Sequence, residues 1–280
     1  SLVKNLDEKG LAIINIDNSY ILKNYEEIKS RIISFGFSEK ADMQATDVFF
    51  NYSDGNEIRG LSFKLNYKGT TLPVRLNNSL ARHQIYPALI AAAVGLEFGI
   101  NLVESSGILS NFSAPCSRLN LIAGIKDSQI IDDTYNASPA STLAALEVLG
   151  EIKSPRKIAV LGDMLELGEE TEKGHQNVAK KFLEIKGDIF FAVGQRMKFA
   201  VLELKRNGFA VGNVHSFESP TDAGKKLQEM IQEGDLILVK GSQGIRMEKV
   251  VEEIMAEPQK AGELLCRQNK EWKYKSFKPV

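Results

Sequence analysis

The chain has 280 residues, 43% hydrophobic and 25% charged, a composition that supports one large globular domain or two ordinary ones. Its net charge of −1 leaves no basic excess to hold a nucleic-acid backbone or an acidic membrane surface. No apolar run approaches the ~20 residues of a membrane span, and Cys116 and Cys266 form no C-x-x-C pair, which fits a reducing cytoplasmic setting better than a disulfide framework. The chain starts without Met or a signal-peptide apolar region, close to an apolar strand, as if cut from something longer.

In chain order, residues 1 to about 112 read as a mixed segment with strand character. The run Gly10–Asn15 is a short apolar strand that ends in polar Asn15, Asp17 and Asn18. Residues 47–76 alternate in places and carry an Asp54-Gly55 turn signal, which predicts antiparallel strands. The Ala-rich stretch from Tyr86 to Leu96 predicts a buried helix, with Pro87 near its start and Gly99 at its end.

Residues 113–280 have another rhythm, and the boundary is expected near Pro115. Apolar strands are expected at 129–133, 157–161, 188–193 and 235–239. Helical patterns lie between them, over Ser141–Ile152, Thr171–Ile185 and Asp222–Gln232. Continuous apolar strands alternating with amphipathic helices predict a mainly parallel, Rossmann-like α/β sheet covered on both sides.

Three of those strands run into polar turns. The first is Asp132-Asp133-Thr134-Tyr135-Asn136-Ala137-Ser138-Pro139. Ser138 is a candidate N-cap and Pro139 suits the first helical position, so free N–H groups gather beside the polar cluster. Gly162, Asp163 and Glu166 follow the second strand, and Lys240, Gly241 and Ser242 follow the fourth. In an open α/β sheet ligands bind beyond the carboxyl ends of the strands, so these turns predict a cleft for a polar ligand. The bland alternative for the first turn is that its Asp and Asn side chains merely satisfy backbone groups.

These motifs, with His175 after Gly162-Asp163-Met164-Leu165-Glu166 and with Lys240-Gly241-Ser242 ahead of Met247-Glu248-Lys249-Val250-Val251, resemble the C-terminal domain of the Mur ligase family. Upstream, Leu6–Tyr20, the segment Leu80–Ile100 and Ser117-Arg118-Leu119-Asn120 resemble the second half of the family's central α/β domain and the start of its third domain. The resemblance implies two parts, 1–112 and 113–280. It points to the branch that uses ATP and Mg²⁺ to join D-alanyl-D-alanine to UDP-MurNAc-tripeptide through an acyl phosphate. It implies that Asp133 and Arg118 contact the ATP ribose and phosphates, that His83 and Gln84 lie near the adenine, and that Tyr135, Asn136, Ser138, Lys240, Gly241 and Ser242 shape the dipeptide pocket.

Each residue also has a plainer reading: a surface charge for Arg118, a helix-capping histidine for His83, a solvated strand end for Lys240. His175 reads as structural, and Asp163 and Glu166 as caps of the helix that follows. The chain departs from the family in two places. Its G-x-H-N-x-x-N-A pattern reads Ala81-Arg82-His83-Gln84-Ile85-Tyr86-Pro87-Ala88, which keeps one amide and loses the other. The pattern Lys-Gly-Ser-Arg ends here in Gln243. No G-x-x-x-x-G-K-[ST] phosphate loop occurs anywhere in the sequence; in the family it lies upstream, with the metal ligands, so the chain is expected to be inactive alone. Two other classes remain open: an amide ligase of the folylpolyglutamate or polyamino-acid type, and a non-catalytic nucleotide-binding or interaction module.

Overall fold

A computed structural model of the chain describes residues 5–23, 28–54, 57–77, 79–112 and 114–273. The chain divides into two compact units, Ser1–Tyr52 with Ile58–Ser113, and Ser53–Glu57 with Ala114–Val280.

The first unit holds a five-stranded sheet in sequential order: β1 (Leu11–Asn15), β2 (Arg31–Gly36), β3 (Met43–Tyr52), β4 (Ile58–Tyr67) and β5 (Thr70–Asn77). β1, β2 and β3 run parallel, while β3, β4 and β5 form the expected antiparallel meander. Gly55 of the expected turn lies outside the described residues. A short helix, α1 (Ser19–Leu22), follows β1, capped by the Asn18 side chain. The Ala-rich stretch forms α2 (Ile85–Glu97), followed by α3 (Leu102–Leu109). The expectation of a buried α2 holds for one face only. Ile85, Ala88, Leu89, Ala92 and Ala93 pack into a core with Phe35, Met43, Phe63 and Leu65, while Ile90 and Val94 stay well exposed. A stripe at helical spacing buries one side, however apolar the segment is as a whole.

The second unit is a six-stranded sheet with helices on both faces. Its strands are β6 (Asn120–Ala123), β7 (Gln129–Asp133), β8 (Arg156–Gly162), β9 (Ile189–Val193), β10 (Val214–Phe217) and β11 (Asp235–Lys240). They are ordered β10-β9-β8-β11-β7-β6, all parallel except β6, which pairs antiparallel with β7. The expected parallel sheet is therefore present, with its four expected strands. Every residue of β9 and β11 is buried, as follows when both faces are covered.

The longer helices are α4 (Pro139–Glu151), α5 (Thr171–Glu184), α6 (Lys198–Arg206), α7 (Pro220–Met230) and α8 (Glu248–Ile254). Ile130, Ile158, Val160, Phe191, Ile237 and Val239 form one core with Ala223 and Leu227 of α7 and Val250, Val251 and Ile254 of α8. Their sequence neighbours point to the opposite face, where Phe190 meets Phe182 of α5 edge-on, with ring centroids 5.0 Å apart. α4 begins as its sequence predicts: the Ser138 hydroxyl accepts a hydrogen bond from the Ser141 N–H, and Pro139 takes the first helical position.

Candidate functional site

β8, β11 and β7 are adjacent, and the register sets Lys240 opposite both Asp133 and Leu161. The turns after Asp133, Gly162 and Lys240 therefore open side by side at the carboxyl edge of one sheet. This is where a doubly wound sheet offers room for a ligand.

Within that edge the side chains sort by depth. Lys240 is buried, and its ammonium donates to Asp133 Oδ2 at 2.5 Å and to the Asn136 carbonyl at 2.9 Å. One lysine thus ties the end of β11 to the turn after β7. Ser242 is buried as well: its hydroxyl donates to the Ala137 carbonyl at 3.3 Å and accepts from the Leu165 N–H at 2.9 Å. The Ser242 N–H donates to the Asp163 carbonyl at 3.0 Å, so Ser242 links all three turns. Gly241 is required by space. A Cβ there would stand 2.6 Å from Met247 Cγ and 3.1 Å from Gly162 Cα, while one on Gly162 would stand 2.8 Å from Met247 Sδ. The two turn glycines let neighbouring strands close over one buried methionine. Lys240, Gly241 and Ser242 thus shape the turn from below, and Tyr135, Asn136 and Ser138 are the exposed side chains above it.

The adjacent carboxylates part company. Asp133 turns to Lys240. Asp132, fully buried, accepts from the Ser117 hydroxyl at 2.8 Å and from the Thr134 N–H and hydroxyl at 3.1 and 2.7 Å. Burial pushes Asp132 up to about 6, although those hydrogen bonds favour the charged form. Ser117 also accepts the Tyr135 N–H at its carbonyl, 3.1 Å away. The next residue, Arg118, is exposed and lays its guanidinium over the Tyr135 ring, 4.1 Å from the centroid. Asp133, Arg118, Tyr135, Asn136, Ser138, Lys240, Gly241 and Ser242 therefore share one edge of the second unit.

His83 and Gln84 belong to the first unit, in the 3-10 turn Arg82–Gln84 that leads into α2. His83 is exposed. The Gln84 side chain folds back on its own turn: Oε1 accepts from the N–H groups of Leu80 and Ala81 at 2.8 and 2.9 Å. Nearby, the Tyr86 hydroxyl donates to Asp17 Oδ2 at 2.9 Å, and burial together with that carboxylate pushes Tyr86 up to about 12. The same Asp17 carboxylate accepts the Phe37 and Ser38 N–H groups at 2.7 and 3.0 Å.

His175 is structural, as its sequence context suggests. It is buried, Nε2 accepts the Met164 N–H at 3.1 Å, and Nδ1 lies 2.6 Å from the Thr171 carbonyl. Burial lowers its affinity for a proton, and the neutral ring can serve both partners. The expectation for Asp163 and Glu166 needs correction. Asp163 does not cap α5; its Oδ1 accepts the Met197 N–H at 2.8 Å, at the start of α6. Gly194 makes this approach possible, because a Cβ there would stand 2.5 Å from the Asp163 carboxyl carbon. Glu166 is exposed at a φ of 63° and caps no helix. A strand-end side chain can reach the turn after the neighbouring strand as easily as its own, and sequence order does not reveal which.

Sequence reasoning also missed a group from the end of the chain. Arg267 donates to the Thr134 carbonyl at 3.0 Å, to the Tyr135 carbonyl and to Glu248 Oε2 at 3.1 Å. Arg246 pairs with the other oxygen of Glu248 and donates to the Trp272 carbonyl at 2.8 Å. An open cleft of about 660 Å³ lies beside them, lined in part by Tyr135, Gln243, Cys266, Arg267, Gln268 and Trp272. Nothing in the local pattern around Arg267 signals this role.

Comparison with known proteins assigns both units. The model of the Mur ligase middle domain matches residues 1–95, and that of the Mur ligase glutamate ligase domain matches residues 117–243. The chain belongs to the Mur ligase family. Among curated Mur ligases, the UDP-N-acetylmuramoyl-tripeptide–D-alanyl-D-alanine ligase of Escherichia coli is 33% identical over 255 residues, 89% of this chain and 53% of that protein. Its Bacillus subtilis namesake is 30% identical over 258 residues, 92% of this chain and 54% of that protein. A crystal structure of MurF from Acinetobacter baumannii aligns with a TM-score of 0.75 at 27% identity, over 89% of this chain and 53% of that one. The chain thus spans about half the length of the Mur ligases it matches.

Proposed function

We propose that the chain is the C-terminal part of a MurF-type ligase, which joins D-alanyl-D-alanine to UDP-MurNAc-tripeptide with ATP in the bacterial cytoplasm. The observation that carries this reading is the turn after β7. There a buried Lys240 fixes Asp133 and the Asn136 backbone, and Tyr135 and Asn136 are left exposed, in a chain whose Mur ligase relatives include that ligase.

A carboxylate is a poor electrophile, and transfer of the ATP γ-phosphoryl group gives it a leaving group. The dipeptide amine attacks the acyl phosphate, a tetrahedral intermediate forms, and phosphate departs. The protein positions the partners and offsets charge. In this reading Asp133 accepts hydrogen bonds from the ribose through the oxygen that Lys240 leaves available, and Arg118 reaches the phosphates. Asn136 and Ser138 meet the dipeptide, while Lys240, Gly241 and Ser242 hold the turn in shape. His83 and Gln84 remain our candidates for the adenine side, with the Gln84 carbonyl oxygen already engaged by its own turn. Among the described residues no group of three or more His, Cys, Asp or Glu side chains is placed to hold a metal ion. Nor does any helix among the described residues have the length and apolar character to cross a membrane.

The test is amine specificity. The full-length protein that contains this chain is supplied with ATP, Mg²⁺ and UDP-MurNAc-tripeptide, and phosphate release is followed with D-alanyl-D-alanine, D-alanine, glutamate or diaminopimelate. The dipeptide should be preferred by at least about a hundredfold in kcat/KM, the discrimination that a site built on hydrogen bonds to its substrate exceeds. Preference for glutamate would instead assign the chain to a polyglutamate-type ligase.

A further inference from the structure

The Arg267 cluster lies beyond residues 117–243, the span matched in the second unit, and the reaction outlined above does not use it. Glu248 is 1% exposed and sits between two guanidiniums that are each 5% exposed. Both arginines adopt left-handed backbone, Arg246 at a φ of 64° and Arg267 at 58°. That conformation is disfavoured for a long side chain and persists only where the surroundings determine it. The planes extend into a series. Arg118 lies 4.1 Å from the Tyr135 ring centroid and Arg267 lies 5.8 Å from it; Arg267 and Arg246 lie 5.7 and 5.3 Å from the Trp272 ring centroid. Within this frame the Arg267 fork reaches two consecutive carbonyls, those of Thr134 and Tyr135. These are the residues between Asp133 and Asn136.

We propose that Arg267 is a positioning residue for the ligand turn. Held by Glu248 and braced against Trp272, it clamps the Thr134 and Tyr135 carbonyls from one side while Lys240 holds Asp133 and the Asn136 carbonyl from the other. Two cations from distant parts of the chain thus set the backbone that presents Asp133 and Asn136. A carbonyl-rich turn needs donors to fix it, and a planar guanidinium presents its donors in a rigid fork spread over two nitrogens, whereas the three donors of an ammonium radiate from one atom on a flexible stem. The consequence for ligation rests on the proposed function; the clamp itself does not.

The variant that decides is Arg267→Lys, which keeps the charge beside Glu248 and removes the fork. Amide hydrogen exchange is followed by NMR on the whole chain. The Thr134 N–H donates to Asp132 and the Tyr135 N–H to Ser117, so both report on the turn. In R267K their exchange should rise at least tenfold, with Leu238 and Val239 of β11 unchanged. If all four amides accelerate together, or the two turn amides do not change, the clamp is refuted. Should R267K unfold, Arg267→Gln, which retains a donor without the charge, is read in the same way.

A second arm uses the full-length ligase, where R267K should raise the KM for D-alanyl-D-alanine at least tenfold with kcat within about twofold. An unchanged KM beside a loosened turn would overturn the role in substrate binding. Absence of dipeptide ligation by the unsubstituted full-length enzyme would overturn the proposed function instead, and the exchange arm would still decide the clamp.

Discussion

Asp132 and Asp133 are neighbours with opposite environments, and each makes a different physical demand. Asp133 pairs with Lys240 at 2.5 Å. Asp132 has only hydroxyl and amide partners in a fully buried place, so desolvation wins and pushes it up to about 6 from an ordinary 3.8. A carboxyl raised in the folded state holds its proton more tightly there than when unfolded. Its contribution to stability is therefore fully present below about pH 4 and is lost as the pH rises through about 6. Buried His175 acts in the opposite sense, losing stability as the pH falls below its ordinary range.

The comparison with Asp132→Asn cancels the histidine and isolates the aspartate. Urea unfolding can be followed by the fluorescence of Trp272, the single tryptophan of the chain, which lies in the second unit. The stability of the unsubstituted protein minus that of D132N should fall by up to about 3 kcal/mol between pH 4 and pH 7. A difference that stays flat across that range would mean that Asp132 is not held at the raised value.

At the scale of elements, the site is the meeting of three strand ends, and glycine decides how closely they meet. At Gly241 an added methyl group would stand 2.6 Å from Met247 Cγ and 3.1 Å from the Gly162 backbone. Methionine can yield, but a backbone atom cannot. Gly241→Ala should therefore destabilise the second unit by about 1–3 kcal/mol through overpacking, read as a shift of the urea midpoint at constant slope. Met247→Leu in the same protein should not restore the loss, because the Gly162 backbone remains. Full stability in G241A would show that the turns have slack.

Much of this edge was legible in the sequence. The four apolar runs of the parallel sheet stood out because both faces of each are covered, and Ser138-Pro139 marked the start of α4 by its capping chemistry. β10 was not legible: Val214–Phe217 is four residues long, lies at the sheet edge and carries His215 and Ser216. α8 hid because Met247 to Ile254 continues directly from the Lys240 turn. The pairing of Asp163 with the Met197 N–H, and of Arg267 with the Thr134 and Tyr135 carbonyls, depends on which strand lies beside which. Arg267 lies 133 positions from Thr134, and spacing along a sequence carries no record of such contacts.

At the scale of the molecule, the chain carries two Mur ligase units yet spans only about half the length of its relatives. Phosphoryl transfer depends on a cradle of backbone N–H groups, a lysine and a metal around the transferring group. None of the 22 glycines falls in a G-x-x-x-x-G-K-[ST] pattern. In the proposed reading, the strand ends of the second unit offer an acceptor for a ribose and a shaped turn for a dipeptide, one side of a ligation site. In the proposed ligase this chain supplies that side, while the phosphate cradle comes from elsewhere in the protein. Phosphate release tests this division most directly, measured with ATP, Mg²⁺, UDP-MurNAc-tripeptide and D-alanyl-D-alanine for this 280-residue chain alone and for the full-length protein. Dipeptide-dependent release is expected from the full-length protein and none above background from the chain alone; dipeptide-dependent turnover by the pure chain would contradict the division.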